Sequence, residues 1–540
     1  MDKIVEILHR IRASRWGFPV SLVLLNTVIF TALALILPLT FEENDDVMML
    51  LIANGSYSGT PDSHLVFINV IYGAILAGLY SLTKAIEWYT LSFAVLHILS
   101  MSVLLHAIIT IPNRATWERI LWFLALYALW ARILVALQFT TTAGLVSVAG
   151  CVLMLRENNK ARWLGVLFII VASLIRITAA GLVGVLMAPI ILYTYRLEWR
   201  KYIPLVVMLI MVIGCRLVHI YAYNSDPEWK YYNTYNELRG QLTDNPNAFK
   251  LQPEDLPEGV DSTDYKLLLR FIPDPEQMDL ATLQRLNAVV AEVSFKDKLL
   301  NIHHLDQYAV ELCILFALLV LMILTTGNVS KYAFLILYTL FILALMVYVS
   351  LDGFLKNRVF LCMMFPILIT DFMLLPNTTG LKRRWGLIIA ILALCGWFGY
   401  QTNCDQIRKR HGRYMWEHWQ RPLLDKIPDD ATVVTMGSGM SLSSASPWHL
   451  WPYSFTKYTL GWLTWCPLNQ PVGHSYRVLV KDNVYLLSDR TFERESSSVQ
   501  IVRGQIEKHY GIVTDVACQD SNRVCVIAKY VVLDKPQETN

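Results

Sequence analysis

Long apolar runs broken by short polar turns set the pattern of the first 400 residues. Runs of about 16 to 25 residues match the length a bilayer crossing needs, and the first is 17–40. Eleven more follow, at 65–82, 88–111, 120–137, 143–155, 163–175, 177–195, 203–223, 308–325, 332–351, 359–375 and 385–400. The stretch 163–195 is too long for one simple crossing and carries Arg176 in its middle, so it is divided there. Beyond residue 400 the period shortens. Alternating runs at 432–435, 476–480, 484–487, 511–516 and 524–532 predict strands, and 499–510 predicts a helix.

Basic residues decide how many runs cross. With Lys3, Arg10, Arg12 and Arg15 on the cytoplasmic side, a crossing at 65–82 would export the later turns rich in Arg and Lys, against the usual charge asymmetry. Those turns hold Arg114, Arg119, Arg156, Lys160, Arg162, Arg196, Arg200, Lys201, Lys382, Arg383 and Arg384. Leaving 65–82 as a juxtamembrane or re-entrant segment returns all of them to the cytoplasm. The expected fold is a polytopic α-helical membrane protein of about eleven spans plus that segment. The membrane module covers 1–400, with a first exterior loop at 41–87 and a large one at 224–304, and 401–540 forms an exterior C-terminal α/β domain.

Composition agrees with that class. Of 540 residues, 55% are hydrophobic and only 16% charged, against roughly 25% charged in soluble proteins. A net charge of +3 gives no reason to expect nucleic acid as a partner. Neither a phosphate-binding GxxxxGK[ST] loop nor a GxGxxG fingerprint occurs, which argues against nucleotide-driven pumping. Cys518 and Cys525 flank a turn-rich stretch, so a hairpin disulfide is expected in an oxidising compartment, with Cys404 and Cys466 a second pair or free thiols.

The candidate chemistry lies at one level of the membrane. Glu42, Glu43, Asp45 and Asp46 follow the first run directly, where carboxylates beside hydrocarbon invite either a functional reading or that of a solvated helix cap. Arg132, Arg176 and Arg216 each fall within roughly 10 Å of the same boundary, and Lys356 and Arg358 lie in an exterior turn. A guanidinium grips phosphate oxygens in a fork, so these five are candidate phosphate ligands; the alternatives are snorkelling to headgroups or internal pairing, for example with Glu311. Gln138 and Thr141 either bind sugar hydroxyls or satisfy helix ends. Glu43, His64, Trp448 and Trp451 complete the candidate sugar or acceptor contacts, the tryptophans because an indole face stacks on a sugar ring.

A carboxylate facing arginines at a membrane surface suits transfer of a sugar from a polyprenyl phosphate: the cations hold the departing phosphate while the carboxylate takes the acceptor's proton. Through Asp45-Asp46 just beyond the first span, the following segment Val47–Tyr57 and the alternation of short spans with basic turns, the first 400 residues resemble the GT-C superfamily of integral-membrane glycosyltransferases. That group includes protein mannosyltransferases, aminoarabinose transferases of lipid A and oligosaccharyltransferases. The resemblance implies Asp45 as catalytic carboxylate, with Asp46 its neighbour. It implies a polyprenyl-phosphate sugar as donor and a cell-envelope glycan or lipid-linked acceptor, on the exterior face of a bacterial inner membrane. Asp45-Asp46 stands where several branches have Asp-Glu, and Pro61-Asp62-Ser63-His64-Leu65 stands near the place of a Pro-Pro-Leu segment, which leaves the acceptor open. No cofactor is required by this chemistry; a divalent metal is possible, though two adjacent acids are far from a ligand set. The competing readings are a transporter or flippase of lipid-linked glycans and a non-catalytic envelope assembly subunit.

Overall fold

The computed structural model describes residues 17–325, 329–351, 355–374, 381–436, 442–448, 453–469, 473–489, 498–522 and 525–533. The first half runs α1 (Gly17–Ile36), β1 (Thr40–Phe41), α2 (Asn44–Ala53), α3 (Val70–Leu82), α4 (Trp88–Thr110), α5 (Thr116–Val135), β2 (Ala136–Leu137), α6 (Phe139–Met154), α7 (Asn159–Tyr195) and α8 (Ile203–Asn224). A polar module follows, of α9 (Pro227–Thr243), α10 (Ser262–Leu269), α11 (Leu280–Val289) and α12 (Phe295–Leu300). The chain then forms α13 (Ala309–Thr325), α14 (Val329–Leu351), α15 (Asn357–Leu374), α16 (Leu381–Met415) and α17 (Arg421–Leu424). It ends with β3 (Thr432–Met436), β4 (Thr456–Thr459), β5 (Val484–Asp489), α18 (Ser498–Tyr510), β6 (Thr514–Ser521) and β7 (Cys525–Val532).

Among the described residues, eight helices are long and apolar enough to cross a membrane, and the chain is a polytopic helical membrane protein. One of them, α7, counts as a single helix of 37 residues but is bent at Arg176, whose φ of −154° and ψ of 99° are not helical. The guanidinium of Arg162 lies 5.8 Å from the ring centre of Tyr195, although a straight helix would hold those residues roughly 50 Å apart. The chain therefore turns back on itself at Arg176, and α7 is two antiparallel legs divided where the sequence was divided.

Helix α6 threads between these legs on small residues. A Cβ on Gly165 would stand 2.6 Å from the Gly150 carbonyl oxygen and 3.0 Å from the Met154 nitrogen, backbone atoms that cannot rotate away. Gly165→Val is expected to destabilise the bundle by about 1–3 kcal/mol or more, read as a lower thermal unfolding midpoint in detergent.

The basic turns gather on one face. Arg114 donates to the Met373 carbonyl (3.0 Å), Arg119 to that of Ile111 (3.0 Å), Arg156 to Thr110 Oγ1 (2.9 Å) and Arg162 to the Arg156 carbonyl (2.9 Å). Each serves the carbonyl end of a helix, where a cation is favoured. Phe18 at the start of α1 meets His106 there, ring centres 5.5 Å apart. The opposite face carries α2 and α3. At 13 residues, α3 spans roughly 20 Å, short of the ~30 Å hydrocarbon layer. At its start Asn69 donates to the Leu174 and Cys215 carbonyls (2.8 and 3.0 Å) and the Tyr72 hydroxyl to Ser92 Oγ (2.7 Å); at its end the Thr83 carbonyl accepts from the indole of Trp88 (3.0 Å), next to Tyr89, whose hydroxyl bonds Asp46.

The five strands of the C-terminal region form one sheet in the order β4-β3-β5-β7-β6, with the first three parallel and the last two antiparallel. The run 476–480, read as a strand, is a 3₁₀ turn, and 511–516 becomes a strand only from Thr514. Thr456–Thr459, inside the tryptophan-rich stretch, is an edge strand that alternation did not reveal. The helical module 227–300 has its own core of Tyr235, Leu242, Tyr265, Leu268, Leu283 and Leu286. It is tied to the sheet region by Tyr510 Oη to Asp274 Oδ2 (2.6 Å), Tyr476 Oη to the Ile272 carbonyl (2.5 Å) and His509 with Asp264 (2.7 Å).

The expected Cys518–Cys525 disulfide does not fit the sheet. Cys518 pairs across the strands with Lys529, four positions from Cys525, so the Cα atoms stand well beyond the roughly 7 Å a disulfide can bridge. The Cys525 thiol instead lies 3.8 Å from Asn522 Oδ1. Cys404 and Cys466 are free thiols.

Candidate functional site

The acidic cluster is held by its backbone. Strand β1 pairs in parallel with β2, Thr40 with Ala136 and Phe41 with Leu137, and the Glu42 N–H continues the ladder to the Leu137 carbonyl (3.0 Å). From the other side Lys409 Nζ donates to the Phe41 carbonyl (2.7 Å) and Arg413 to that of Leu39 (2.8 Å). Helix α2 then starts at Asn44, with Asp45 and Asp46 in its first turn, where the positive helix end favours carboxylates.

The two aspartates have different surroundings. Asp46 is fully buried; its Oδ1 accepts from Tyr89 Oη (2.9 Å) and the Phe139 N–H (3.1 Å), while Oδ2 has no partner among the described residues. Burial pushes its carboxyl well above the usual range, the two hydrogen bonds only partly opposing that. Asp46 thus joins α2 to the starts of α4 and α6. Asp45 is half-buried, and among the described residues its carboxylate makes no hydrogen bond or ion pair. Burial raises its pKa; Arg358, Arg176 and Lys356 pull it back down, and Glu43 adds to the rise. Arg358 also bonds Glu43 (3.3 Å).

Glu42 is lifted to about 7, chiefly by burial, against the pull of Arg358 and Lys409. A carboxyl whose pKa is raised on folding stabilises the fold below its unfolded value, and that contribution is lost as pH rises through about 7. Glu42→Gln is therefore expected to flatten the decline of the unfolding midpoint between about pH 5 and 8, measured by thermal unfolding across that range.

The five basic candidates separate into two groups. Arg176, at the apex of α7, places its guanidinium 5.8 and 5.4 Å from the ring centres of Phe67 and Phe139, and Phe139 is the residue whose N–H reaches Asp46. Arg176 also lines a cavity of about 500 Å³ shared with Arg216, His219, Asn69, Asn233 and Glu237. Arg176, Lys356 and Arg358 all draw on the Asp45 carboxylate, whereas Arg216 lines the cavity beside Arg176. The cavity shares Ser173, Ile177 and Val212 with an apolar groove of about 200 Å³ between α7 and α8, floored by Ala180, Gly181 and Gly184.

Arg132 does not join them. It is buried and commits its guanidinium to Glu311 (3.4 Å) and Asn357 (3.0 Å), and Glu311 also accepts from Gln401 (2.8 Å). Its role is to hold the residue that precedes Arg358. Gln138 and Thr141 are likewise turned inward: Gln138 Oε1 caps α6 by accepting from the N–H groups of Thr140 (2.7 Å) and Thr141 (3.3 Å), and Thr141 Oγ1 donates to the Gln138 carbonyl (3.1 Å). His64 bonds Asp62 (2.8 Å) and stacks on Trp229 at 4.5 Å between ring centres, beside Tyr223 on the cavity wall. Trp448 is exposed, following Pro447, whose carbonyl accepts from Thr90 (2.6 Å); Trp451 lies outside the described residues. Among the described residues, no three His, Cys, Asp or Glu side chains gather as a metal site.

Tyr89, His219, Asn233 and Lys409 escaped the sequence reading. Only Lys409 left a signal: the basic run 408–413 falls on the side where charge asymmetry predicts few cations.

Neither the protein-family models nor the curated proteins contain a match to this chain. Two solved structures are similar, both of ArnT from Cupriavidus metallidurans. The apo form shares 12% identity over 93% of this chain and 97% of its own, with a TM-score of 0.40. The form bound to undecaprenyl phosphate shares 13% over 95% and 98%, also with a TM-score of 0.40.

Proposed function

We propose that this chain is an inverting membrane glycosyltransferase that uses a polyprenyl-phosphate-linked sugar, with Asp45 as general base. The observation that carries this reading is the Asp45 carboxylate, which makes no hydrogen bond or ion pair among the described residues and lies in the field of Arg358, Arg176 and Lys356, with Arg176 also lining the cavity that runs into an apolar groove. A phosphate head fits the cationic end and a hydrocarbon chain the groove between α7 and α8. Asp45 takes the proton of the acceptor hydroxyl as that oxygen attacks the anomeric carbon. The carbon–oxygen bond to phosphate breaks, and the guanidinium groups stabilise the charge that develops on the leaving phosphate.

The acceptor is a cell-envelope glycan or lipid-linked glycan on the exterior face. The gathering of Arg114, Arg119, Arg156 and Arg162 on the opposite face supports that orientation, because positive turns stay in the cytoplasm. The activity test is transfer by the purified protein in liposomes from a panel of polyprenyl-phosphate sugars, read as a new glycan product; no product with any donor would end the proposal. Orientation is tested separately in a background without native cysteines. Lys84→Cys is expected to react with an impermeant maleimide from outside intact cells and Lys160→Cys only after permeabilisation; the reverse pattern would invert the topology.

A further inference from the structure

A second cationic site lies apart from the Arg176 cavity, at the C-terminal end of α1. A groove of about 290 Å³ is walled on one side by Leu35, Ile36, Leu37 and Pro38 and on the other by Arg410, Arg413, Tyr414, Glu417 and His418. Leu35 and Ile36 are 83% and 65% exposed and end a membrane-spanning helix, so the groove sits where hydrocarbon gives way to headgroups. Arg410 and Arg413 on the opposite wall belong to the basic run Arg408-Lys409-Arg410-His411-Gly412-Arg413.

Most cations of that run are already used. Arg408 pairs with Asp405 (3.1 Å), Lys409 holds the Phe41 carbonyl and Arg413 the Leu39 carbonyl. Arg410 is exposed and meets no acceptor among the described residues. Arg413 Nε is buried and has no partner among the described residues. His418 stacks on Tyr414 at 4.2 Å between ring centres, with its Nδ1 3.0 Å from the Tyr414 carbonyl. A groove with apolar residues on its membrane side and unused guanidinium donors above them matches an amphiphile with an anionic head. Glu417 is the one acid on its wall, which leaves the site net positive.

We infer that this groove binds an anionic membrane phospholipid, its phosphate at Arg410 and Arg413 and its chains against Leu35 and Ile36. Arg413 and Lys409 on the same helical turns hold residues 39–42, so the lipid sits against the outside of the clamp that fixes the acidic loop. The site is distinct from the donor cavity, and it stands whether or not Asp45 is a base.

The test uses the full chain in nanodiscs containing trace photoactivatable phosphatidylglycerol or phosphatidylcholine, with crosslinks mapped by peptide mass spectrometry. The expected result is phosphatidylglycerol labelling within 35–38 and 410–418, and about fivefold weaker labelling in Arg410→Gln. Arg408→Gln, which removes a charge of the same basic run that does not line the groove, should change labelling little. Equal labelling by phosphatidylcholine would overturn the inference, as would an unchanged Arg410→Gln signal or complete competition by millimolar inorganic phosphate. Because the readout is labelling, an inactive Asp45→Asn protein should label as wild type; the two readings therefore fail separately.

Discussion

Asp45→Asn is expected to slow sugar transfer by about 10²–10⁴-fold, the usual range for loss of a general base, with an unchanged unfolding midpoint. The amide keeps the shape of the side chain but cannot accept a proton, and among the described residues the carboxylate has no hydrogen bond to lose. Asp46→Ala should behave in the opposite sense. It leaves the Tyr89 hydroxyl and the Phe139 N–H buried without an acceptor, each costing about 1–3 kcal/mol, so the protein should melt earlier. Transfer would also fall, through displacement of α2 rather than loss of the base. The pH dependence separates the two. Burial raises the Asp45 carboxyl, so the acid limb of the rate profile should lie above the ordinary carboxylate value of about 4. A wild-type rate in Asp45→Asn, or an Asp46→Asn protein that is inactive yet as stable as wild type, would move the base assignment by one residue.

Much of this architecture was legible because membranes impose simple rules. Run length and charge asymmetry gave the apolar helices and the basic face, and the lone Arg176 inside an apolar run marked the turn of α7. Arg132 could not be read the same way. Its depth matches that of Arg176, and only the three-dimensional partner, Glu311 on a helix some 180 residues later, distinguishes a structural cation from one facing a cavity. Gln138 and Thr141 were ambiguous for a related reason: a polar residue at a helix start is equally a cap and a ligand until the N–H groups it meets are known. The strand Thr456–Thr459 was hidden because Lys457 is buried within it, its ammonium held by the Ser56 carbonyl (2.8 Å). That contact is tertiary and leaves no alternation to read. The hairpin disulfide failed on register, which spacing between cysteines does not specify.

Arg132 and Arg176 give the second large contrast, and it runs between stability and binding. Arg132→Leu should destabilise the protein by about 3–5 kcal/mol, because it leaves the carboxylate of the fully buried Glu311 without its charge partner. The double variant Arg132→Leu with Glu311→Leu should recover most of that loss, since the pair is removed together with its desolvation cost. Arg176→Ala should instead leave the unfolding midpoint close to wild type: its guanidinium contacts are ring faces and one carbonyl at 3.5 Å. Its effect should appear in the donor. Losing one charge-assisted contact to phosphate, worth about 1.5–3 kcal/mol, raises the donor KM by about 10–150-fold, and Arg176→Lys should restore only part of it because an ammonium cannot make the two-pronged contact. Thermal unfolding and donor titration on the same preparations read both effects. An Arg132→Leu protein of normal stability with weakened donor binding would place Arg132 at the phosphate after all, and an Arg176→Ala protein with unchanged donor KM would take Arg176 away from it.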